Sequence, residues 1–472
     1  MKGKFIATLL LSSVLVSACL PIFKLQAALT PQNVLVVVNT NSADSVAIGN
    51  YYLSVHPGAQ VVNIGTTTSD SIVRSSFISE IRDPIRNYLS STAGLSTQIV
   101  SIVTTRGVPY QLTDSVGQGG NYTSFSQGLT GDASVDSELT LLWQNMVAGN
   151  SFSNAFPAHD VIFNPYFGAQ TAINSFNRGN IQTNKNWTGV VDNGVSLFFE
   201  SPSHPFTGNN AWGFSTKGSE PVANQLNEGD FYLVTRLSGY SVTDVTNSIA
   251  RSLNIQVNKT TDTIVLDGTP SGFDYPAYHL FGTNIIYDHA SNILGNAGFT
   301  IAYSREDAAI TNLPNGQRVL SYSSSGTHSP PSTPLSNNPQ YINDVLQFNY
   351  APGAIFNTYE SFNGSDFNNP AHGNQGMVAD FIRQGGTLGF GHVFEPFTIA
   401  VAYEDFYLPD LLTNGLTWAE AAYGSIPFLS WENVIIGDPL ATFSFIPEPS
   451  AALNCIGLVF LARVILRHRR DN

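Results

Sequence analysis

Asn33-Val34-Leu35-Val36-Val37-Val38, followed by Asn39-Thr40-Asn41-Ser42 and then by residues 44–55, decides the fold. Six residues dominated by valine and leucine, with no polar alternation, read as a strand buried on both faces, which is the habit of parallel sheets. The polar tetrad supplies a turn and a serine able to cap a helix, and 44–55 reads as that helix. The pattern then repeats: Val61-Val62-Asn63-Ile64 as a strand, 71–88 as a helix, 99–104 as a third strand. This is the rhythm of βαβ units.

Outward from there, residues 117–131 and 174–227 lose periodicity and fill with Gly, Asn, Ser and Pro, so they read as long loop insertions, with a helix over 135–146 between them. The rhythm resumes with Tyr232-Leu233-Val234, a helix over 242–253, a strand over 263–266, a helix ending near Gly298 and a strand over 299–302. Further strands are expected over 318–321, 354–357, 387–390 and 434–436, with helices over 375–383, 399–407 and 416–423. The expectation is α/β: two mainly parallel-sheet halves, 29–225 and 226–446, meeting near residue 225. Thr105-Arg106 with Tyr110, and Thr235-Arg236 with Tyr240, repeat one pattern just past a strand in each half. Carboxyl ends of strands are where open α/β sheets bind ligands, so Arg106 and Arg236 are ligand-binding candidates; the alternative is an arginine that ties down a loop.

The chain has 472 residues, 20 Lys+Arg and 34 Asp+Glu, for a formal net charge of −14. Residues 1–28 carry three lysines, and 447–472 carry four arginines and two acids, so 29–446 holds 13 basic against 32 acidic groups, a net of −19. Such a body is unsuited to nucleic acid or to anionic membrane surfaces. Both cysteines, Cys19 and Cys455, lie in the end segments, which leaves the body without a disulfide or a cysteine nucleophile.

The ends read as addresses. Lys2 and Lys4, an apolar run over 5–16 and then small residues have the layout of a cleavable signal peptide over 1–28, implying Sec machinery and signal peptidase as partners. Cleavage at the small-residue site Leu25-Gln26-Ala27-Ala28 and lipidation at Cys19 within Val16-Ser17-Ala18-Cys19 are the two alternatives. Ile446-Pro447-Glu448-Pro449-Ser450, an apolar segment over 451–466 and then Arg467-His468-Arg469-Arg470 resemble the PEP-CTERM sorting tail of Gram-negative bacteria. The resemblance implies an exosortase partner, a short transmembrane segment within 447–472, and delivery to the envelope or the medium. The prolines hold an extended, accessible segment, and the arginines favour the cytoplasmic side.

No phosphate-binding loop, dinucleotide fingerprint or nucleophile elbow is in place, and no cofactor or metal is implied: His392 and Glu395, three apart, lack a third ligand. Polar groups gather instead at Gly326-Thr327-His328, at Glu360-Ser361-Phe362-Asn363-Gly364-Ser365-Asp366-Phe367, at Gly391-His392-Val393-Phe394-Glu395-Pro396 and at Gly437-Asp438-Pro439. Their order resembles the catalytic region of gingipain-type caspase-fold peptidases, with Ser361 where that family has its cysteine. The resemblance implies a caspase-like scaffold for 226–446 and a candidate catalytic set of Ser361, His328 or His392 as base, and the neighbouring carboxylates Glu360 and Glu395. Read structurally, Ser361 is a turn or cap residue and Asp438 fixes a turn after the last strand.

Val34-Leu35-Val36-Val37-Val38-Asn39, Thr105-Arg106-Gly107-Val108-Pro109-Tyr110, the Gly391 to Pro396 segment and Gly437-Asp438-Pro439-Leu440 are also similar to a family of exported bacterial proteins with PEP-CTERM tails, a likeness that implies no activity. Three functions stay open: a binding or structural protein, a peptidase-like serine hydrolase, and a protein that binds exopolysaccharide through its many Tyr, Trp and Asn side chains. The sorting expectation is checked by replacing Pro447-Glu448-Pro449 with alanines. The variant is retained in the inner membrane at unprocessed mass, and recovery in the wild-type compartment at wild-type mass would refute the exosortase partner.

Overall fold

The computed structural model describes residues 29–113, 133–143, 162–164, 166–167, 186–192, 195–205, 232–269, 285–373, 375–396, 401–429 and 431–446. The signal segment 1–28 with both of its processing alternatives, Cys455, and the tail with Pro447, Glu448 and Pro449 lie outside them. Among the described residues no helix is long and apolar enough to cross a membrane.

Among the described residues ten strands build one sheet. They are β1 (Val34–Asn39), β2 (Gln60–Ile64), β3 (Ser101–Thr105), β4 (Leu233–Leu237), β5 (Asp262–Asp267), β6 (Thr300–Ser304), β7 (Arg318–Ser324), β8 (Tyr350–Thr358), β9 (Leu388–His392) and β10 (Asn433–Ile436). Their spatial order is β6-β5-β7-β8-β9-β10-β4-β3-β1-β2. All six residues of β1 are buried, as its unbroken apolar run requires. Within β2-β1-β3-β4-β10 every pairing is parallel. Within β6-β5-β7-β8-β9 every pairing is parallel as well. The blocks meet where β9 and β10 pair antiparallel, Gly389 facing Ile436 and His392 facing Asn433. The two carboxyl edges therefore point in opposite directions.

The halves read from the sequence share this sheet, and β4 and β10, both C-terminal to residue 225, complete the N-terminal block. β4 joins β3 with Thr104 opposite Arg236, and β10 is inserted between β4 and β9. In the α/β layering, α1 (Ala43–Val55) packs Ile48 and Tyr52 with Val245 and Ile249 of a later helix, Val242–Ser252, onto β1. A second core sets Phe381 and Ile382, from the helix Val378–Arg383, against Val319, Tyr322 and Phe356.

Several elements differ from expectation for local reasons. Residues 71–88 were to be one helix, but Ser71–Ile72 pairs with Gln111–Leu112, and helical structure begins at Arg74, running through a wide turn Phe77–Arg82 into α2 (Asp83–Ser90). The helix expected over 135–146 is α3 (Val135–Thr140), with turns after it. With α4 as Val242–Ser252, α5 as Ile285–Asn296 and α6 as Val378–Arg383, the helix expected over 399–407 is α7 (Glu404–Leu412), which begins later and carries Pro409 within it. Inside the span read as loop, Asn186–Asp192 and Val195–Pro205 pair as an antiparallel hairpin. β8 extends four residues upstream of expectation across a register shift, where Gly353 has φ +83°. Its Cβ would lie 2.6 Å from Ile255, so the bulge needs glycine.

Asp438 fixes the turn after β10 by accepting from the Leu440 amide at 3.0 Å. It also receives Tyr52 Oη at 3.0 Å and Ser252 Oγ at 3.0 Å, and its carboxylate lies 2.7 Å from His56 Nε2, so α1, α4 and the end of β10 share one anchor.

The seam beside β9 is equally tight. A Cβ on Gly391 would lie 2.6 Å from Gly364 Cα, with no flexible side chain to yield. Gly391→Ala is expected to cost about 2 kcal/mol or more in chemical denaturation. Gly373→Ala, whose Cβ would meet nothing within 4 Å, stays within about 0.5 kcal/mol of wild type. Equal midpoints for the two variants would contradict this packing.

Candidate functional site

β7 and β8 are adjacent and parallel, so the turn Gly326–His328 and the segment Tyr359-Glu360-Ser361 leave the same edge of the sheet. Glu360 ties them together. Its Oε1 accepts from the amides of Thr327 at 2.9 Å and Gly376 at 3.0 Å, and its Oε2 from Thr358 Oγ1 at 2.7 Å and Tyr341 Oη at 3.0 Å. Gly326 has φ +55°, and any Cβ there would lie 2.1 Å from the Glu360 carboxyl carbon. Four donors on one buried carboxylate make a structural knot.

Ser361 stands beside that knot, nearly buried, and its Oγ accepts from Gln375 Nε2 at 3.2 Å. Among the described residues no hydrogen bond joins it to a histidine. The His328 side chain is exposed. His392 is buried with Nδ1 3.1 Å from the Glu360 carbonyl, which can only accept, so this nitrogen carries the proton. Burial depresses the imidazole to about 4, leaving it a neutral and weak base at neutral pH. Glu395 is exposed. Phe362, next to Ser361, has φ +57°, a left-handed conformation that is rare for a bulky residue, and its ring meets Phe394 edge-on at 6.3 Å. The structure thus gathers Glu360, Ser361 and His392 around the end of β8 without joining a nucleophile to a base. Among the described residues no three His, Cys, Asp or Glu side chains group as a metal site.

The other carboxyl edge holds both arginines. Arg236 is fully buried. Its guanidinium meets both oxygens of Asp136 at 2.7 Å and donates to the carbonyls of Val108 at 2.8 Å and Pro109 at 3.0 Å. Arg106 donates through Nε to Asp44 at 2.9 Å, through Nη1 to the carbonyls of Gly239 at 2.8 Å and Phe367 at 2.6 Å, and through Nη2 to Asn368 Oδ1 at 2.6 Å. Each guanidinium has protein partners at every nitrogen, so both arginines build the site. Asn39, at the end of β1, adds Nδ2 contacts to the carbonyls of Thr67 at 3.1 Å and Gly107 at 2.7 Å. Gly107 has φ +92°, and a Cβ there would lie 2.1 Å from the Oγ of Ser42, the residue that caps α1.

These ties enclose a cavity of about 330 Å³ at the carboxyl ends of β1, β2, β3 and β4, lined by Ser42, Asp44, Asp70, Arg106, Tyr110 and Asn368 among others. Asn368 Nδ2 donates to Asp70 Oδ1 at 2.6 Å, and Tyr110 Oη accepts from the Asp366 amide at 3.0 Å. Burial, and then the negative charge of Asp70, push the Tyr110 phenol well up, so it stays protonated. Sequence reading singled out both arginines as residues just past a strand, which holds for Arg106 after β3, whereas Arg236 lies within β4, in register with Thr104. That reading missed Asp44, Asp70, Asp136 and Asn368, whose partners are remote in the chain and carry no local signal.

A further buried acid went unread. Glu404, the first residue of α7, accepts from Asn357 Nδ2 at 2.6 Å, and burial raises its carboxyl to about 8.

No protein-family model matches the chain, and no curated protein matches it. Among solved structures, one described as "Structure of Protease" overlaps 88% of this chain and 79% of its own length at 11% identity, with a TM-score of 0.39. An overlap this loose assigns neither a fold family nor an activity.

The Glu404 environment has a pH signature. The folded state holds the proton to about 8 while an exposed glutamate releases it near 4.5. Between these values the folded chain binds the extra proton, so this group's contribution is full below the lower value and is lost as pH rises through the higher one. Unfolding free energy measured from pH 5 to 8 falls more steeply for wild type than for Glu404→Gln. Parallel profiles would contradict the buried neutral acid.

Proposed function

We propose that this chain is an exported protein of the cell envelope or extracellular space, brought out by its signal segment and sorted by an exosortase through its tail, and that its α/β body binds a ligand without hydrolysing it. The observation that carries the second half is the Ser361 hydroxyl, which is held by Gln375, with His328 exposed and His392 buried, weakly basic and bonded to the Glu360 carbonyl. Serine is a nucleophile only with a positioned base, and the carboxylate beside it is spent on four donors. The binding reading draws on the second edge, where Arg106 fixes the wall of a polar cavity.

The serine-hydrolase reading, with Ser361 and His328 or His392, keeps one supporting observation. β7 and β8 are adjacent parallel strands, and their trailing segments meet through Glu360 and Thr327, the arrangement a caspase-like scaffold would use. The two readings separate with a broad fluorophosphonate probe. Wild type and Ser361→Ala are expected to be equally unlabelled; labelling of the wild type that disappears in Ser361→Ala would establish the hydrolase.

A further inference from the structure

We propose that the cavity at the carboxyl ends of β1 to β4 is a saccharide site that takes a neutral, hydroxyl-rich ring. The inference rests on the binding reading and gives it a ligand class.

Preorganisation comes first. Arg106 joins the start of α1, the segment after β4 and the segment after β8, three pieces of chain far apart in sequence, through four hydrogen bonds. Asn39 and the glycine-only conformation of Gly107 fix the turns between them. A wall held in this way has little ordering left to lose on binding.

Charge comes next. The nitrogens of Arg106 and Arg236 that an anion would seek already face protein oxygens, and Asp136 neutralises Arg236. Arg106 offsets Asp44, which leaves Asp70 as uncompensated negative charge on the lining. A carboxylate, sulfate or phosphate ligand meets repulsion and finds no unspent cation.

The groups left over decide the class. Ser42 Oγ accepts from the Ser45 amide and keeps its proton to donate outward. Asn368 has given one amide hydrogen to Asp70 and retains the other. Asp44 receives Arg106, and Asp70 receives Asn368 and the Tyr110 phenol; a carboxylate has four lone pairs, so acceptor capacity remains on both. Donors and acceptors are therefore both left on the lining. A hydroxyl both donates and accepts, and neighbouring hydroxyls on a sugar ring satisfy such an array, whereas an amine offers donors alone and leaves Ser42 and Asn368 unanswered.

The test uses the full chain, purified in a detergent without sugar headgroups, and titrated with maltotriose, cellotriose and mannotriose, with trigalacturonic acid, and with a lysine tripeptide. Ligand-observed NMR and calorimetry read binding. At least one neutral trisaccharide is expected to bind in preference to the acidic sugar and the peptide, and Asp70→Ala and Asn368→Ala are each expected to weaken it about tenfold or more at unchanged unfolding midpoint. Asn368 is exposed, and without its side chain Arg106 keeps its bonds to Asp44, Gly239 and the Phe367 carbonyl, so its replacement leaves the fold intact even if that of Asp70 does not. The proposal is overturned if no neutral sugar binds up to about 10 mM, if the acidic sugar or the peptide is preferred, or if sugar binding survives both substitutions. Probe labelling of Ser361 would remove the non-hydrolytic reading and leave a sugar result that depends on Asp70 and Asn368 standing.

Discussion

The antiparallel pairing of β9 with β10 is the constraint on which the rest of the molecule depends. Because β10 runs with β4 and against β9, two parallel blocks meet along one line and present their carboxyl edges in opposite directions. Carboxyl edges are where polar loops collect, so this pairing creates two separate polar regions, one around Glu360 and Ser361 and one around Arg106. The chain after β8 serves both. Gly364 packs against Gly391 at the seam, while Phe367 and Asn368, only a few residues on, hydrogen-bond to Arg106.

Charge is used at both edges to tie chain to chain. Arg236 with Asp136, Arg74 with Glu138, and Asp438 with Tyr52, His56 and Ser252 each join segments far apart in sequence. Glu360 collects four donors at the mouth of β7 and β8. Buried charge is costly unless partnered, and each of these groups is held by an opposite charge or by several hydrogen bonds, which makes it structural. The consequence for function differs between the edges. Around Ser361 the same economy leaves the serine with an amide neighbour in place of a base. Around Arg106 it leaves a rigid wall with the capacity of Asp44, Asp70, Ser42 and Asn368 facing a cavity.

Much of the layered architecture was legible in the sequence because it is written in local period. The valine run of β1, the cap at Ser42 and the alternation of strands with helices follow from residues next to one another. Arg106 past β3 and Arg236 near the end of β4 were legible as residues close to strand ends, although their engagement by Asp44 and Asp136 was not. What stayed hidden depends on strand order: the insertion of β10 between β4 and β9, the pairing of Ser71–Ile72 with Gln111–Leu112 that shortens an expected helix, and the cavity assembled from segments as far apart in sequence as Ser42 and Asn368. Glu360 and Ser361 are adjacent in sequence, and only the fold reveals that the carboxylate, and not the hydroxyl, faces the neighbouring strand's turn.

The separation of Ser361 from any base is the central claim, and a crystal structure of the chain at neutral pH tests it most directly. The account predicts Gln375 Nε2 about 3.2 Å from Ser361 Oγ, with the His392 Nδ1 proton on the Glu360 carbonyl and His328 turned to solvent. A nitrogen of His328 or His392 within about 3 Å of Ser361 Oγ would contradict it and make the edge at β7 and β8 a hydrolytic site.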